Sequence, residues 1–202
     1  MDKDQFFKAL AARTGYAGQE PPPPPRWEAP RELFFGEQER LEVFIRESEA
    51  LGVSVSLVPH EQAAREAIGK LVASRGYTRV VTAPNAGGSI DRVDHDEFAA
   101  AQFGLCRADH AVAETGSIVL ETGPHNPRCV SLLPPVAGFL VPRSKIVSRV
   151  GEVLTEVSAH RDDLTSCLNF ISGPSKTADI EHNLCVGVHG PGEVHVWIIE
   201  NL

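Results

Sequence analysis

The stretch from 53 to 82, VSVSLVPHEQAAREAIGKLVASRGYTRVVT, sets the fold class. Val53-Ser-Val-Ser-Leu-Val58 has the short, β-branched character of a strand. Ala63, Ala64, Ala67, Ile68, Leu71 and Val72 then recur at the spacing that puts them on one face of a helix. Arg79-Val-Val-Thr82 returns to strand. Working outward, Leu41, Phe44, Ile45, Ser48 and Leu51 mark a preceding helix. Residues 94–104 read as a helix, with Asp94 and Glu97 spaced like a capping box. Strands are expected at 108–113 and 118–121, joined by Thr115-Gly116 as an antiparallel hairpin. Gly138–Val141 is another strand, 147–164 a helix, 168–171 a strand, 176–184 a helix, and Glu193–Glu200 a closing strand. Strand–helix alternation with continuously apolar strands predicts an α/β fold: a mainly parallel sheet with helices on both faces, plus the added hairpin. No internal repeat is visible.

The N-terminal part differs. Residues 3–14 suit a short helix, and 15–30 hold the run Pro21–Pro25, which reads as an extended polyproline spacer. The expected division is residues 1–34 as helix and proline-rich arm, and 35–202 as one domain.

The bulk properties exclude several classes. A formal charge of -8 with no basic stripe argues against nucleic acid as a partner. No apolar run reaches the length of a membrane span, and the charged start, Met1-Asp-Lys-Asp-Gln5, lacks the apolar core of a secretory signal. A cytoplasmic protein is expected. The four cysteines at 106, 129, 167 and 185 stand apart, without the spacing of a zinc or iron–sulfur site, and reduced thiols are expected. Asp91, Asp94, His95, Asp96 and Glu97 crowd one segment and read as a helix start, so no metal site is expected.

Five segments carry candidate chemistry, each with a plainer alternative. In Ile171-Ser-Gly-Pro-Ser-Lys-Thr-Ala-Asp-Ile-Glu181, an apolar strand feeds a Gly-Pro turn and a helix start. Gly173, Ser175, Lys176, Thr177 and Asp179 there could cradle an anion, or the hydroxyls could merely cap the helix. In Ala113-Glu-Thr-Gly-Ser117, Glu114 could act as a general base with Thr115, Gly116 and Ser117 beside it, or the segment could be a simple turn. Arg143 and Lys145 follow a strand and could clamp a carboxylate or phosphate, or lie solvated at a strand exit. His189 sits among glycines, and Asn85 opens a glycine loop after a strand; either could meet a ligand or only turn the chain. No GxSxG is present, which argues against a serine hydrolase.

Five blocks in order carry a family resemblance: Ala108–Leu120, Ser131–Pro135, Arg143–Ile146, Ile171–Glu181 and Gly187–Pro191. Together they resemble the LUD domain of lactate-utilisation proteins of the LutC/YkgG type, over about residues 35–200. The resemblance implies a fold similar to the NagB/RpiA/CoA-transferase-like architecture. It implies a place in a bacterial system that oxidises L-lactate to pyruvate, whose sister proteins carry iron–sulfur clusters. A chain without a cluster motif would be the cofactor-free accessory subunit, with iron–sulfur proteins and a small anionic ligand as partners and a homo-oligomer open. Glu114–Ser117, Arg143–Lys145 and Gly173–Asp179 would then line one crevice. Two alternatives stay open: a stand-alone transferase or ligase acting on a nucleotide, CoA or folate-like anion, and a scaffolding or regulatory module using the proline arm.

Overall fold

The computed structural model describes residues 2–14, 35–89, 95–159, 165–178, 184–187 and 189–201. The chain divides into two compact units, Met1–Glu32 and Leu33–Leu202. In the first, α1 (Lys3–Thr14) starts with a reciprocal cap: the Gln5 N–H donates to Asp2 Oδ1 at 2.9 Å and the Asp2 N–H to Gln5 Oε1 at 3.3 Å. The run Pro21–Pro25 lies outside the described residues.

The second unit runs α2 (Glu37–Ala50), β1 (Ser54–His60), α3 (Glu61–Ser74), β2 (Val80–Thr82), α4 (His95–Ala100), β3 (Phe103–Arg107), β4 (His110–Val112) and β5 (Ser117–Glu121). It continues with α5 (Arg128–Leu132), β6 (Val136–Pro142), β7 (Ile146–Val147), α6 (Val150–Ala159), β8 (Leu168–Ile171), β9 (Lys176–Ala178), β10 (Leu184–Val186) and β11 (Glu193–Asn201). Five strands form a sheet in the order β1-β11-β6-β3-β2, every pairing parallel.

Alternation along these strands explains the layers. Ala137, Phe139 and Val141 of β6, with Val194, Val196 and Ile198 of β11, share one core with Leu41 and Phe44 of α2. Val136 and Leu140, with Trp197 and Ile199, share another with Ala64 and Ile68 of α3. Opposite parities of each strand thus meet opposite helices, and β6 over 136–141 and β11 over 196–199 carry no polar side chain because both faces are covered. The expected α/β architecture, with helices on both faces of a parallel sheet, is the one observed.

The hairpin β4–β5 forms, but within a second four-stranded sheet, β7-β4-β5-β8. Its Ala111, Ile118, Leu120, Ile146 and Ile171 pack into the α2-side core, and its outer Val112 and Val119 lie under Val153 of α6. Three expectations are corrected. The helix expected over 94–104 ends at Ala100, and β3 follows it. The helix expected over 147–164 occupies Val150–Ala159, with 160–164 outside the described residues. The helix expected over 176–184 is strand at both ends: β9 and β10 pair antiparallel, Lys176 opposite Val186 and Ala178 opposite Leu184. Among the described residues, no helix is long and apolar enough to cross a membrane.

Candidate functional site

The last turn of α2 is the assembly point. The turn between β4 and β5 packs on it through Gly116, whose φ of +59° needs a residue without a Cβ. A Cβ there would also come within 2.5 Å of the Ser48 nitrogen. The Ser48 hydroxyl donates to the Gly116 carbonyl at 3.2 Å. This places Ser117, buried at the head of β5, with its Oγ 2.8 Å from Thr115 Oγ1 and 2.7 Å from Ser172 Oγ. Three hydroxyls in a row hold three O–H protons and make two bonds among themselves. One proton is left over, and when Ser117 donates to one neighbour and accepts from the other, that proton sits on an exposed end hydroxyl, Ser172 or Thr115.

Ser172 leads into Gly173, which turns at φ +86° against Leu51. Lys176 then reaches back, its Nζ donating to the Leu51 carbonyl at 3.0 Å. That bond satisfies a carbonyl at the negative end of α2 and uses one of the three ammonium donors. Ser175 ties in the glycine-rich loop: its N–H donates to the Pro191 carbonyl at 2.8 Å, and its Oγ accepts the His189 N–H at 3.4 Å. Thr115, Gly116, Ser117, Gly173, Ser175, Lys176 and His189 therefore meet around one helix end. The backbone of Thr177 pairs with Cys185 in the β9–β10 ladder, and Asp179 lies outside the described residues. Because 176–178 is strand, no helix start presents its free N–H groups there. An anion at this place would be met by hydroxyls and one ammonium instead.

The other candidates stand elsewhere. Glu114 Oε1 accepts the Val150 N–H at 2.9 Å, and its Oε2 lies 3.6 Å from Arg149 Nε. It caps the start of α6, where a carboxylate meets the positive end of the helix. Arg143 sits at the other end of α2 from Lys176: its Nη2 donates to Gln38 Oε1 at 3.0 Å, with Glu37 and Glu200 carboxylates at 3.4 and 3.6 Å. Lys145 is exposed in the same turn. The intervening helix separates Arg143 from Lys176 by roughly 20 Å. The one crevice expected from sequence is thus two places, one at each end of α2.

Asn85 extends the sheet. Its Nδ2 donates to the Arg107 carbonyl at 2.9 Å and its Oδ1 accepts the Arg107 N–H at 3.2 Å, so the side chain continues the β2–β3 ladder. The Arg107 guanidinium donates to the Asn85 carbonyl at 3.0 Å and pairs with Glu61, which also pairs with Arg65. This Glu61–Arg107–Arg65 network at the strand ends was not singled out from the sequence, because β3 itself was not. Hydrogen bonds from Arg107 and then Arg65 hold the Glu61 carboxyl below its ordinary value of 4.5. A depressed folded-state value contributes stability in full above pH 4.5, lost as pH falls through the lowered value. In urea titrations from neutral to acid pH, the wild type is expected to lead Glu61→Gln at neutrality and to lose that lead in acid. A lead independent of pH would overturn the assignment.

The model of the LUD domain matches residues 86–199. Lactate utilization protein C of Halalkalibacterium halodurans is 44% identical over 104 residues, covering 50% of this chain and 45% of that protein. Lactate utilization protein C 1 of Bacillus mycoides is 43% identical over 115 residues, covering 55% and 49%. The chain thus matches about half the length of these relatives. A crystal structure of a DUF162-family protein from Deinococcus radiodurans has a TM-score of 0.62 at 24% identity, over 82% of this chain and 99% of that one. At that identity it supports the fold.

Proposed function

The chain belongs to the LUD-domain family, and from that premise we propose that it serves in a bacterial system oxidising L-lactate to pyruvate, as the subunit that binds the small carboxylate. The names of the two relatives support the setting. The observation that carries the site is the hydroxyl chain Thr115–Ser117–Ser172, joined from segments far apart in sequence, at the same end of α2 on whose Leu51 carbonyl Lys176 is anchored. A 2-hydroxy acid carries one charge and acceptor oxygens on adjacent carbons, and a free O–H with an ammonium nearby is complementary to it. Oxidising lactate releases two electrons and two protons. The cysteines of this chain stand singly, so the electrons go to partner proteins bearing iron–sulfur clusters.

The carboxylate reading is preferred over a transferase with Glu114 as base because Glu114 is engaged at the start of α6, and the proline arm of the scaffolding reading lies outside the described residues. The test is thermal stabilisation by L-lactate and pyruvate. A ligand at 100 times its Kd should add about 2.7 kcal/mol to the stability of the wild type. Ser172→Ala and Lys176→Met, each weakening the ligand about tenfold, should each remove about half of that gain. No stabilisation of the wild type by either acid would remove the carboxylate site.

A further inference from the structure

At the opposite end of the β5–β8 pair from Ser117 and Ser172, the chain forms an open cleft of about 580 Å³. Five residues of strand put the hydroxyl chain and this cleft about 17 Å apart. Gly123, Arg128, Cys129, Leu132 and Leu133 are among its walls. The volume falls in the range of small-molecule sites, and most of the lining is apolar. Leu133 is 44% exposed, a large apolar side chain left at the surface beside a concave wall.

Arg128 supplies the charge. Its Nη1 faces the Cys167 sulfur at 3.8 Å, a weak acceptor, and among the described residues no carboxylate pairs with it. Arg65, Arg75, Arg107, Arg143 and Arg149 all lie within reach of carboxylates, whereas Arg128 shares with Arg40 and Arg79 the lack of one among the described residues, and of these three only Arg128 borders the cleft. A guanidinium that no carboxylate among the described residues neutralises, at the edge of an apolar cleft, attracts an oxyanion. We propose that this cleft binds an apolar monoanion: an aromatic or branched aliphatic body against Cys129, Leu132 and Leu133, with its single oxyanion on Arg128. Lactate is too small and too polar to fill it, so this site is separate from the one at the end of α2.

Anilinonaphthalenesulfonate and N-phenylnaphthylamine share an aromatic body and differ by the anion, so the pair reads wall and charge separately by fluorescence. The wild type should bind both, saturably and at one site per chain. Arg128→Gln should weaken the sulfonate about tenfold or more, while the neutral probe stays within about twofold. A Cβ on Gly123 meets no atom within 4 Å, so Gly123→Phe adds a side chain without backbone collision and should block both probes. The half-buried Cys129 gives an independent readout, since bound sulfonate should slow its alkylation at alkaline pH by about tenfold, read by peptide mapping. Melting curves check that each variant is folded. The proposal is overturned by an absence of saturable binding, by binding indifferent to Gly123→Phe, or by Cys129 alkylation indifferent to the probe. Equal weakening of both probes by Arg128→Gln overturns the anion.

Discussion

Gly104→Ala is expected to lower the melting temperature by roughly 6–12 °C, while the same exchange at Gly69 raises it. A Cβ on Gly104 would stand 1.9 Å from the Val130 carbonyl oxygen and 3.0 Å from Pro134 Cγ. The obstacle is backbone of α5, so no side-chain rotation relieves it; the helix must leave the sheet. Val130 is fully buried in the α2-side core, and moving α5 pulls it out. Overpacking of this kind costs about 3 kcal/mol or more when backbone must shift. Gly69 lies inside α3, where a Cβ meets nothing within 4 Å. Alanine there lowers the entropy of the unfolded chain and should stabilise by about 0.5–1 kcal/mol. Thermal unfolding of the two variants side by side checks the sign of both. A Gly104→Ala variant that melts with the wild type or above it would mean that α5 does not lie on Gly104, and a destabilised Gly69→Ala would mean that the outer face of α3 is not open at Gly69.

The same glycine explains what was legible in the sequence and what was not. β6 over 136–141 and β11 over 196–199 run without a polar side chain, as a strand covered on both faces requires, and so the parallel sheet was readable. β3 was not. Phe103-Gly-Leu-Cys-Arg107 follows a plausible capping box, and Gly104 looks like the end of a helix. Its actual reason, the close approach of α5 from beyond residue 127, is a tertiary contact with no local trace. The segment after Gly173 failed for a related cause. Local turn chemistry resembled a helix start, but Lys176–Ala178 is held by a partner strand at 184–186.

The site divides in the same way. Thr115-Gly116-Ser117 reads as a turn from its own residues, and the positive φ of Gly116 agrees. That Ser117 meets Ser172 across the β5–β8 register could not be read, because register depends on both strands together. Arg143 and Lys176 both follow strands and look alike as cations. The structure separates them because β6 leads to the start of α2, whereas β8 leads to its end.

Leaving this chain out of a reconstituted lactate-oxidising system is expected to lower the rate about a hundredfold, toward background. The reason is divided labour. Cluster-bearing partners would accept electrons, but the substrate would lack the hydroxyl and ammonium contacts that position it, and positioning alone can account for several kcal/mol of a barrier. Adding the chain back should restore the rate. Adding Ser172→Ala or Lys176→Met should restore less, about tenfold below wild type, since each removes one charge-assisted or hydroxyl contact worth about 1.5 kcal/mol. Ser172 and Lys176 are exposed, so these variants should melt near the wild type, which separates a lost contact from a lost fold. Ser117→Ala makes a sharper case: it cuts the hydroxyl chain at its buried centre and leaves Thr115 and Ser172 without their shared partner. A full rate without the chain overturns the proposed function. A rate that needs the chain but ignores all three substitutions keeps it in the system and takes the carboxylate away from the end of α2.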